Sequence, residues 1–352
     1  MSRIVIHGQG AVSPAGWGVP ALRAALEKGE TLPTMTLARP GWGRTLPCRQ
    51  VPPPPMRPSF LAHPRLRRAN PLAHHVVAAS LEALADDTAR VQSGSLRLGI
   101  IVCTMAGCVT YSRRFYEETL KDPATASPLI FPETVFNAPA SHLAAYLGDG
   151  AINYTLVGDD GTFLQGLALA AQWLLDGRVD GCIVAGGEEL DWIVADALRL
   201  FDHRTIHTAG AGALYLKASD SVTGSQVNPL PELDLITDSF LFTQGQGRSE
   251  AARRMRIQLP DAGLKRLLCL SAQGVPHADA AEESAWSDWS GSRIAPRKIL
   301  GEAFNAAAAW QCVWACDALR RGESSTSIVS VVGANQQAIG ARFVRPDQQN
   351  MT

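Results

Sequence analysis

Between residues 151 and 190, hydrophobic and polar positions follow a strand–helix–strand pattern. Apolar residues first alternate with polar ones, which predicts a strand at 152–157. A turn at 158–161 carries two Asp residues, which suit the N-terminus of a helix. Apolar residues then recur at helical spacing over 161–176, and an uninterrupted apolar run at 181–185 is typical of a strand buried on both faces. The stretch therefore predicts one βαβ unit.

The same patterns recur along the rest of the chain and predict an α/β protein. A Ser-, Gly- and Pro-rich segment at 219–231 is the best internal boundary, and it divides the chain into halves at 1–222 and 223–352, of which the second is the shorter. Residues 31–60 are predicted to be loop. We predict helices near 19–30, 70–88, 111–121, 138–147, 161–176, 191–201 and 298–320. We predict strands in two central sheets near 3–7, 98–103, 152–157, 181–185, 211–217, 267–271 and 327–332, with the helix at 161–176 buried between the sheets.

Composition and charge exclude several classes of function. The 352 residues carry a formal net charge of −1, so bulk charge indicates neither a nucleic-acid partner nor a membrane partner. The seven cysteines show neither a CxxC pair nor a metal-ligand spacing, which is typical of a protein of the reducing cytoplasm. We therefore expect a cytoplasmic protein without a metal or a cofactor.

Several motifs resemble those of β-ketoacyl synthases, the condensing enzymes of the thiolase superfamily. The opening strand runs into Gly8-Gln9-Gly10-Ala11-Val12-Ser13-Pro14, and Ala185-Gly186-Gly187-Glu188-Glu189 reproduces the turn that follows the nucleophile in that family. Residues 210–216 resemble a third family segment, and residues 301–308 a fourth. The resemblance implies a thiolase-like five-layer αβαβα sandwich built from two similar halves.

The residues that carry condensation in that family are replaced here. The family uses a nucleophilic Cys at a helix N-terminus and two His residues that stabilise an enolate. The resemblance aligns these positions with Asp160, Gln273 and Glu302, and it aligns Arg297 with a family Lys. A carboxylate is a poor nucleophile toward a thioester, and an ionised Glu302 would repel an enolate. We therefore expect no catalytic residues for condensation, although the family activity is that of a 3-oxoacyl-ACP synthase.

The resemblance implies a chain-length factor, an inactive subunit that dimerises with an active ketosynthase and shapes its acyl or polyketide tunnel. Such subunits serve type II polyketide, aryl-polyene and fatty-acid-like biosynthesis, in which an acyl carrier protein delivers the chain. The alternatives are a thioester decarboxylase or acyl-transfer enzyme that uses Asp160 or Glu302, and a homodimeric acyl-binding protein. Glu188 and His277 are further candidates for acid–base work, and Cys103 or Cys108 for a displaced nucleophile, but packing and surface roles are favoured for all four.

The resemblance also predicts the surface through which the subunits would associate. In the family, the strand before the nucleophile pairs with its copy across a two-fold axis, and here that strand contains Tyr154 and Leu156. We expect an interface formed by residues 105–120 and 150–165. Phe115 and Tyr116 are expected to lie near the axis and line the partner's tunnel, although Phe115 could equally pack within its own subunit.

Overall fold

The computed structural model describes residues 2–148, 150–221, 229–243, 247–260, 265–334 and 336–346. The first half contains β1 (Ile4–Ser13), β2 (Gly16–Trp17), α1 (Val19–Lys28), β3 (Met35–Ala38), β4 (Thr45–Arg49), α2 (Pro71–Leu84), α3 (Thr88–Gln92), β5 (Leu98–Thr104), α4 (Val109–Lys121), α5 (Ala138–Leu147), β6 (Ile152–Val157), α6 (Thr162–Leu175), β7 (Gly181–Glu188), α7 (Trp192–Phe201), β8 (His207–Thr208) and β9 (Gly210–Ala218). The second half contains β10 (Glu232–Ile236), β11 (Phe240–Leu241), α8 (Arg248–Gln258), β12 (Arg266–Cys269), α9 (Pro276–Ala285), β13 (Ser292–Ile294), α10 (Pro296–Leu300), α11 (Phe304–Arg320), β14 (Thr326–Val332) and β15 (Gln337–Val344).

The two halves repeat one strand arrangement. In the described residues the first half has the order β6-β5-β7-β9-β1, and the second has β13-β12-β14-β15-β10. Numbered along each half, both orders are 3-2-4-5-1. The first three strands of each order run parallel and the last two pair antiparallel. The two similar halves expected from the resemblance are therefore present in the topology.

Five layers result from this duplication. Helices α6 and α11 lie between the two half-sheets, because apolar residues of both half-sheets join them in one buried cluster. Helices α2 and α5 cover the outer face of the first half-sheet, and α8 and α9 cover that of the second. Alternate residues of β5 point to different layers, as a strand buried on both faces requires: Ile101 faces α6 and Ile100 faces α2. The five-layer αβαβα prediction is confirmed.

Three details differ from the sequence-based expectation. The half-sheets are not separate, because β1 and β10 pair at two positions, Ile4 with Leu233 and Val5 with Glu232. Residues 31–60 are not all loop, because β3 and β4 form a hairpin that β8 extends. Residues 222–228, inside the boundary segment that we predicted, lie outside the described residues.

The helix predicted at 298–320 is wrong as a single element. It divides into α10 and α11 around Gly301, whose φ of +102° lies in a region that favours glycine. A Cβ at this position would lie 2.9 Å from the carbonyl oxygen of Ile206, so the chain also needs glycine for close approach. Residue 302 then pairs with His207 as in a strand. The break places Glu302 at the N-terminus of α11.

Helix α6 is buried along most of its surface but has one exposed face. Its residues Phe163, Leu164 and Leu167 are fully buried, whereas Gln165 and Leu175 are exposed. The exposed side follows from the position of β6, which is the last strand of the sheet and has no strand beyond it in the described residues. Among all the described residues, no helix is long and apolar enough to cross a membrane.

Candidate functional site

The N-termini of the two central helices meet at one buried site. Asp160 lies in the turn between β6 and α6, and Glu302 lies just before α11. The two positions are equivalent in the repeated topology, since each precedes the helix between the third and fourth strands of its half. A helix N-terminus carries partial positive charge, so two of them favour anionic groups. The fold thus supplies an anion-binding environment and fills it with two of its own carboxyl groups.

Arg297 of α10 bridges these two carboxyl groups. Its Nη1 donates to Asp160 Oδ2 at 2.5 Å and to Glu302 Oε2 at 2.9 Å, and the three side chains are 5% exposed or less. Glu302 Oε1 also accepts from the backbone N–H of Phe304 at 2.7 Å. Asp160 does not cap α6, although its position in the turn suggested a cap; the helix begins at Thr162, and its N-cap residue is Gly161, without a side-chain cap. The site is therefore an internal ion-pair cluster.

The charges in this cluster depend on one another. Burial raises the pKa of Glu302 to about 7, while Arg297 opposes the rise and the charge of Asp160 adds to it. Burial acts to lower the pKa of Arg297, but the neighbouring Asp160 and Glu302 outweigh it and hold that pKa above its usual range. A guanidinium so placed stays charged and holds both carboxylates. Neither carboxylate is free to attack a thioester or to take a proton from a substrate.

Asp159 ties the same turn to the start of β15. Its carboxylate accepts from Gln337 Nε2 at 3.0 Å and from the backbone N–H groups of Gln336 and Gln337 at 3.2 and 3.3 Å. Burial, followed by the charge of Asp160, raises the pKa of Asp159 to about 6. Asn335, which directly precedes Gln336, lies outside the described residues.

An open groove of about 790 Å³ runs along this turn. One wall comes from β6 and α6 and the other from β11, and the floor comes from the start of β15. Its lining residues are Val157, Gly158, Thr162, Gln165, Leu241, Phe242, Thr243, Gly247, Gln336 and Gln337. The groove is open to the surface and is lined by amides, hydroxyls and apolar groups.

Gln273 and His277 do not join the ion-pair cluster. Gln273 accepts from Thr205 Oγ1 at 3.3 Å, and its backbone N–H donates to Asp279 at 3.0 Å. His277 is exposed and lies 3.4 Å from Asp202 on the surface. Of the three replaced family positions, the structure brings together Asp160 and Glu302, and it leaves Gln273 in a separate hydrogen-bond network.

Glu188 has a structural set of partners. It accepts from the backbone N–H groups of Met105 and Ala106 at 2.5 and 3.1 Å, and from Thr104 Oγ1 at 3.2 Å. Burial raises its pKa to about 8. The side chain therefore holds the turn after β5 against the end of β7. Cys103 and Cys108 are buried with pKa values raised by burial, so both remain neutral thiols.

Sequence reasoning missed His207, which lies beside Glu302. Its Nδ1 and Nε2 are each 3.2 Å from a backbone carbonyl oxygen, of Glu302 and of Glu189. Burial lowers its pKa to about 4, so the ring is neutral. Its ring packs against Phe304, which has an unfavourable positive φ of 40°. In the sequence, the only sign that His207 lies near the site is its position just before the 210–216 segment that resembles the family. Among the described residues no cluster of His, Cys, Asp and Glu could hold a metal ion.

The residues predicted to line an interface or a tunnel fall into two groups. Tyr116 and Tyr154 are exposed. Phe115 is half-buried against Phe131, with ring centroids 5.5 Å apart, and Leu156 is partly buried against the central core. Because Leu156 packs partly against the core of its own subunit, only part of its side chain is available to a partner, and its place in an interface stays a prediction.

Comparison with known proteins identifies the family and the fold that the chain resembles. A family model described as beta-ketoacyl synthase, N-terminal domain, matches residues 1–208, whereas no curated protein matches the sequence. The fold matches the ishigamide ketosynthase/chain length factor with a TM-score of 0.79 at 16% identity, over 98% of this chain and 100% of that one. It matches a beta-ketoacyl synthase from Burkholderia phymatum STM815 with a TM-score of 0.79 at 16% identity, over 99% of this chain and 100% of that one.

A third match is to a chain of AntDE:AntF, a type II PKS acyl-carrier protein in complex with its ketosynthase. There the TM-score is 0.77 at 16% identity, over 98% of this chain and 99% of that one. At such identities the structural matches establish the fold, and the family model covers more than half of the sequence. With a thiolase-like fold and a matching N-terminal half, this chain belongs to the β-ketoacyl synthase family.

Proposed function

We propose that this chain is a non-condensing ketosynthase-like subunit, a chain-length factor, that pairs with an active β-ketoacyl-ACP synthase. The observation that carries the proposal is the Asp160–Arg297–Glu302 cluster. The motif resemblance aligns Asp160 and Glu302 with the family nucleophile and second His, and in this chain Arg297 holds both carboxyl groups in a closed set of ion pairs. The subunit would complete a dimer and shape the partner's acyl or polyketide tunnel in fatty-acid-like, polyketide or aryl-polyene biosynthesis in the cytoplasm.

The free edge of β6 supports pairing with another subunit. Ile152, Tyr154 and Val157 of this strand are exposed, and an unpaired apolar edge is a liability unless it is covered. Exposed apolar residues continue on α4 and on the segment after it, at Tyr116, Leu120, Leu129, Phe131, Val135 and Phe136. A permanent interface on this face would bury on the order of 2,000 Å² or more.

Residues of α4 are suited to shape a tunnel near that face. Phe115 rests on Phe131, while Tyr116 of the same helix points outward and is exposed. In the proposed complex, these aromatic side chains would set the depth available to a growing chain. Their exchange for smaller residues would lengthen it.

A basic segment beside α4 supports an acyl carrier protein as a further partner. Residues 31–81 contain seven Arg and no Asp or Glu. Arg57, Arg65, Arg67 and Arg68 are exposed, and none of them forms an ion pair within the described residues. Tyr111 of α4 donates to the carbonyl oxygen of Arg68 at 2.9 Å, which places the segment next to the proposed interface. Unpaired basic side chains attract an acidic protein surface and speed its association.

A catalytic role for the cluster has less support. A decarboxylase or an acyl-transfer enzyme would need a carboxyl group that can reach a thioester. Asp160 and Glu302 are held by Arg297 and are almost fully excluded from the surface. The homodimeric acyl-binding protein shares the exposed β6 edge, and it is separated from the proposal by the experiment below.

The test is to search the neighbouring reading frames for an intact Cys-His-His ketosynthase and to co-express it with this chain. We expect the two chains to co-purify as a stable complex. Ile152→Asp combined with Val157→Asp should abolish capture, because both residues are exposed on the β6 edge and would bring charge into an apolar interface. Ile257→Asp, on the equally exposed surface of α8, is the matched control and should leave capture unchanged. Failure of the unmodified chain to bind the ketosynthase would refute the proposal.

A further inference from the structure

Arg49, at the end of β4, is a buried cation without a carboxylate partner. The residue is 6% exposed, and it forms no ion pair within the part of the chain that the structure describes. The one hydrogen bond of its side chain there runs from Nε to the carbonyl oxygen of Leu32, at 2.8 Å. An Arg side chain stays charged at physiological pH, and a buried charge is costly unless an opposite charge lies beside it. The single chain therefore leaves this charge uncompensated.

Two other Arg side chains that are wholly or partly buried, Arg248 and Arg297, have carboxyl groups near them. Burial acts to lower the pKa of both. Asp160 and Glu282 oppose this effect at Arg248, and the carboxyl groups of the ion-pair cluster outweigh it at Arg297. Burial also lowers the pKa of Arg49, but there no acidic group among the described residues opposes it. Arg49 is therefore electrostatically separate from the cluster.

The unused hydrogen-bond donors of Arg49 are its two Nη groups. Nη1 and Nη2 have no partner among the described residues, but neither is completely enclosed, so a small ligand can reach them from the surface. Together they offer N–H groups in one plane, which match two oxygen atoms of an oxyanion. Because so little of the residue is exposed, a small anion suits this position better than a protein surface does.

Three backbone segments hold the guanidinium in place. Arg49 pairs with Thr208 of β8 in the small sheet. Leu32, whose carbonyl oxygen accepts from Arg49, donates its own N–H to the carbonyl oxygen of Ile299 at 3.0 Å. Arg49 Nη1 lies 3.2 Å from the position that a Cβ of Gly301 would take, so glycine there leaves room for the guanidinium. A group that is positioned before binding loses little freedom when it takes up a ligand.

The charge along this part of the chain favours an anion with more than one negative charge. Residues 31–81 contain seven Arg and no Asp or Glu. A phosphate group carries about −1.5 to −2 charges near pH 7, whereas a carboxylate carries only one. A phosphate therefore gains more from the surplus of positive charge.

We propose that Arg49 binds the phosphate group of a small molecule, with Nη1 and Nη2 each donating to a phosphate oxygen. The group belongs either to inorganic phosphate or to a small phosphate monoester, since both present the same oxygen atoms. The bound phosphate supplies the counter-charge that the chain lacks at this position. The site involves neither the β6 edge nor the Asp160–Arg297–Glu302 cluster, so its test uses this chain alone and is independent of the ketosynthase partner.

Isothermal titration calorimetry of the full chain with inorganic phosphate, at an ionic strength held constant with NaCl, tests the site. We expect one saturable site with a dissociation constant at or below about 1 mM. Arg49→Met should remove binding. Arg49→Lys keeps the charge and so protects the test against misfolding, but it lacks the planar pair of donors, so the dissociation constant should rise at least about 10-fold. Arg44→Met, at an exposed Arg of the same acid-free segment, is the matched control and should leave binding unchanged.

Absence of saturable binding by the unmodified chain, or equal binding by the folded Arg49→Lys variant, overturns the proposal. Two further titrations identify the ligand. Tighter binding of sn-glycerol 3-phosphate than of inorganic phosphate assigns a phosphate monoester, and the reverse order assigns the free ion. Acetate that binds as tightly as phosphate would overturn the choice of phosphate. A crystal soaked in tungstate, a phosphate analogue, should show an anomalous peak beside Nη1 and Nη2, and no peak there would overturn the assignment to Arg49.

Discussion

Arg297→Met is the change that most directly tests the description of the ion-pair cluster. The substitution removes the cation that, among the described residues, bonds to both Asp160 and Glu302, and it leaves an apolar chain of similar length in its place. Removing one partner from a buried pair costs about 3–5 kcal/mol, because the remaining charge is left without compensation. Here two carboxyl groups lose their partner, and both are 5% exposed or less.

The loss of stability should depend on pH, because a buried carboxyl group becomes neutral when it takes up a proton. With Arg297 present the pKa of Glu302 is already about 7, against an ordinary value of 4.5, and loss of the cation raises it further. A carboxyl whose pKa is raised by folding contributes most stability at low pH and loses it as pH rises through the folded value. We therefore expect the destabilisation by Arg297→Met to be larger near pH 8 than near pH 5.

Urea unfolding at these two pH values, followed by circular dichroism, measures the effect. Arg342→Met is the matched control, since Arg342 pairs with Asp234 at a more exposed site and should cost less than about 1 kcal/mol. Adding Asp160→Asn and Glu302→Gln to Arg297→Met should restore at least half of the lost stability, because none of the three charges of the cluster then remains. A loss below about 1 kcal/mol for Arg297→Met, or a loss independent of pH, would refute the reasoning.

Further measurements address the rest of the molecule. The unmodified protein should itself be more stable near pH 5 than near pH 8 in thermal unfolding. The reason is that burial raises the pKa of Asp159 to about 6, of Glu282 to about 7 and of Glu188 to about 8. A stability maximum at alkaline pH would contradict this. Incubation with acyl or malonyl thioesters of acyl carrier protein should leave its intact mass unchanged, since Cys103 and Cys108 are buried neutral thiols; a stable adduct on either would contradict the assignment. In the complex with the ketosynthase, Phe115→Ala should shift products to longer chains, and identical product lengths would remove α4 from the tunnel. Replacing Arg65, Arg67 and Arg68 by Glu should weaken carrier binding at least about 10-fold and reduce its dependence on salt, whereas unchanged binding would place the carrier elsewhere.

A substitution that tests the interface should not be made at Leu156. Leu156 belongs to the predicted interface strand, but this side chain packs partly against the core of its own subunit. A charge there would destabilise the single chain as well as any interface. Ile152 and Val157 are exposed and avoid this ambiguity.

The sequence by itself determined the framework of this protein. The alternation that predicted a strand at 152–157 and the apolar run at 181–185 correspond to β6 and β7, because period-two and continuous apolar patterns leave a strand few other environments. The helix between them was also predicted closely, since its spacing of apolar residues suits only a helix with one strongly buried face. These features depend on neighbours in sequence, and so they can be recognised there.

The tertiary structure decided what the site contains. Motif resemblance identified Asp160 and Glu302 as replacements but gave them no partner, whereas the structure joins both to Arg297. Asp160 and Arg297 are 137 residues apart in the chain, and they meet only because the repeated topology brings the N-termini of α6 and α11 together. The break at Gly301, which positions Glu302, likewise depends on a close approach to Ile206 that no local pattern reveals. Long-range packing therefore set the charge state of the site, because burial and a distant cation fix the pKa values of its carboxyl groups.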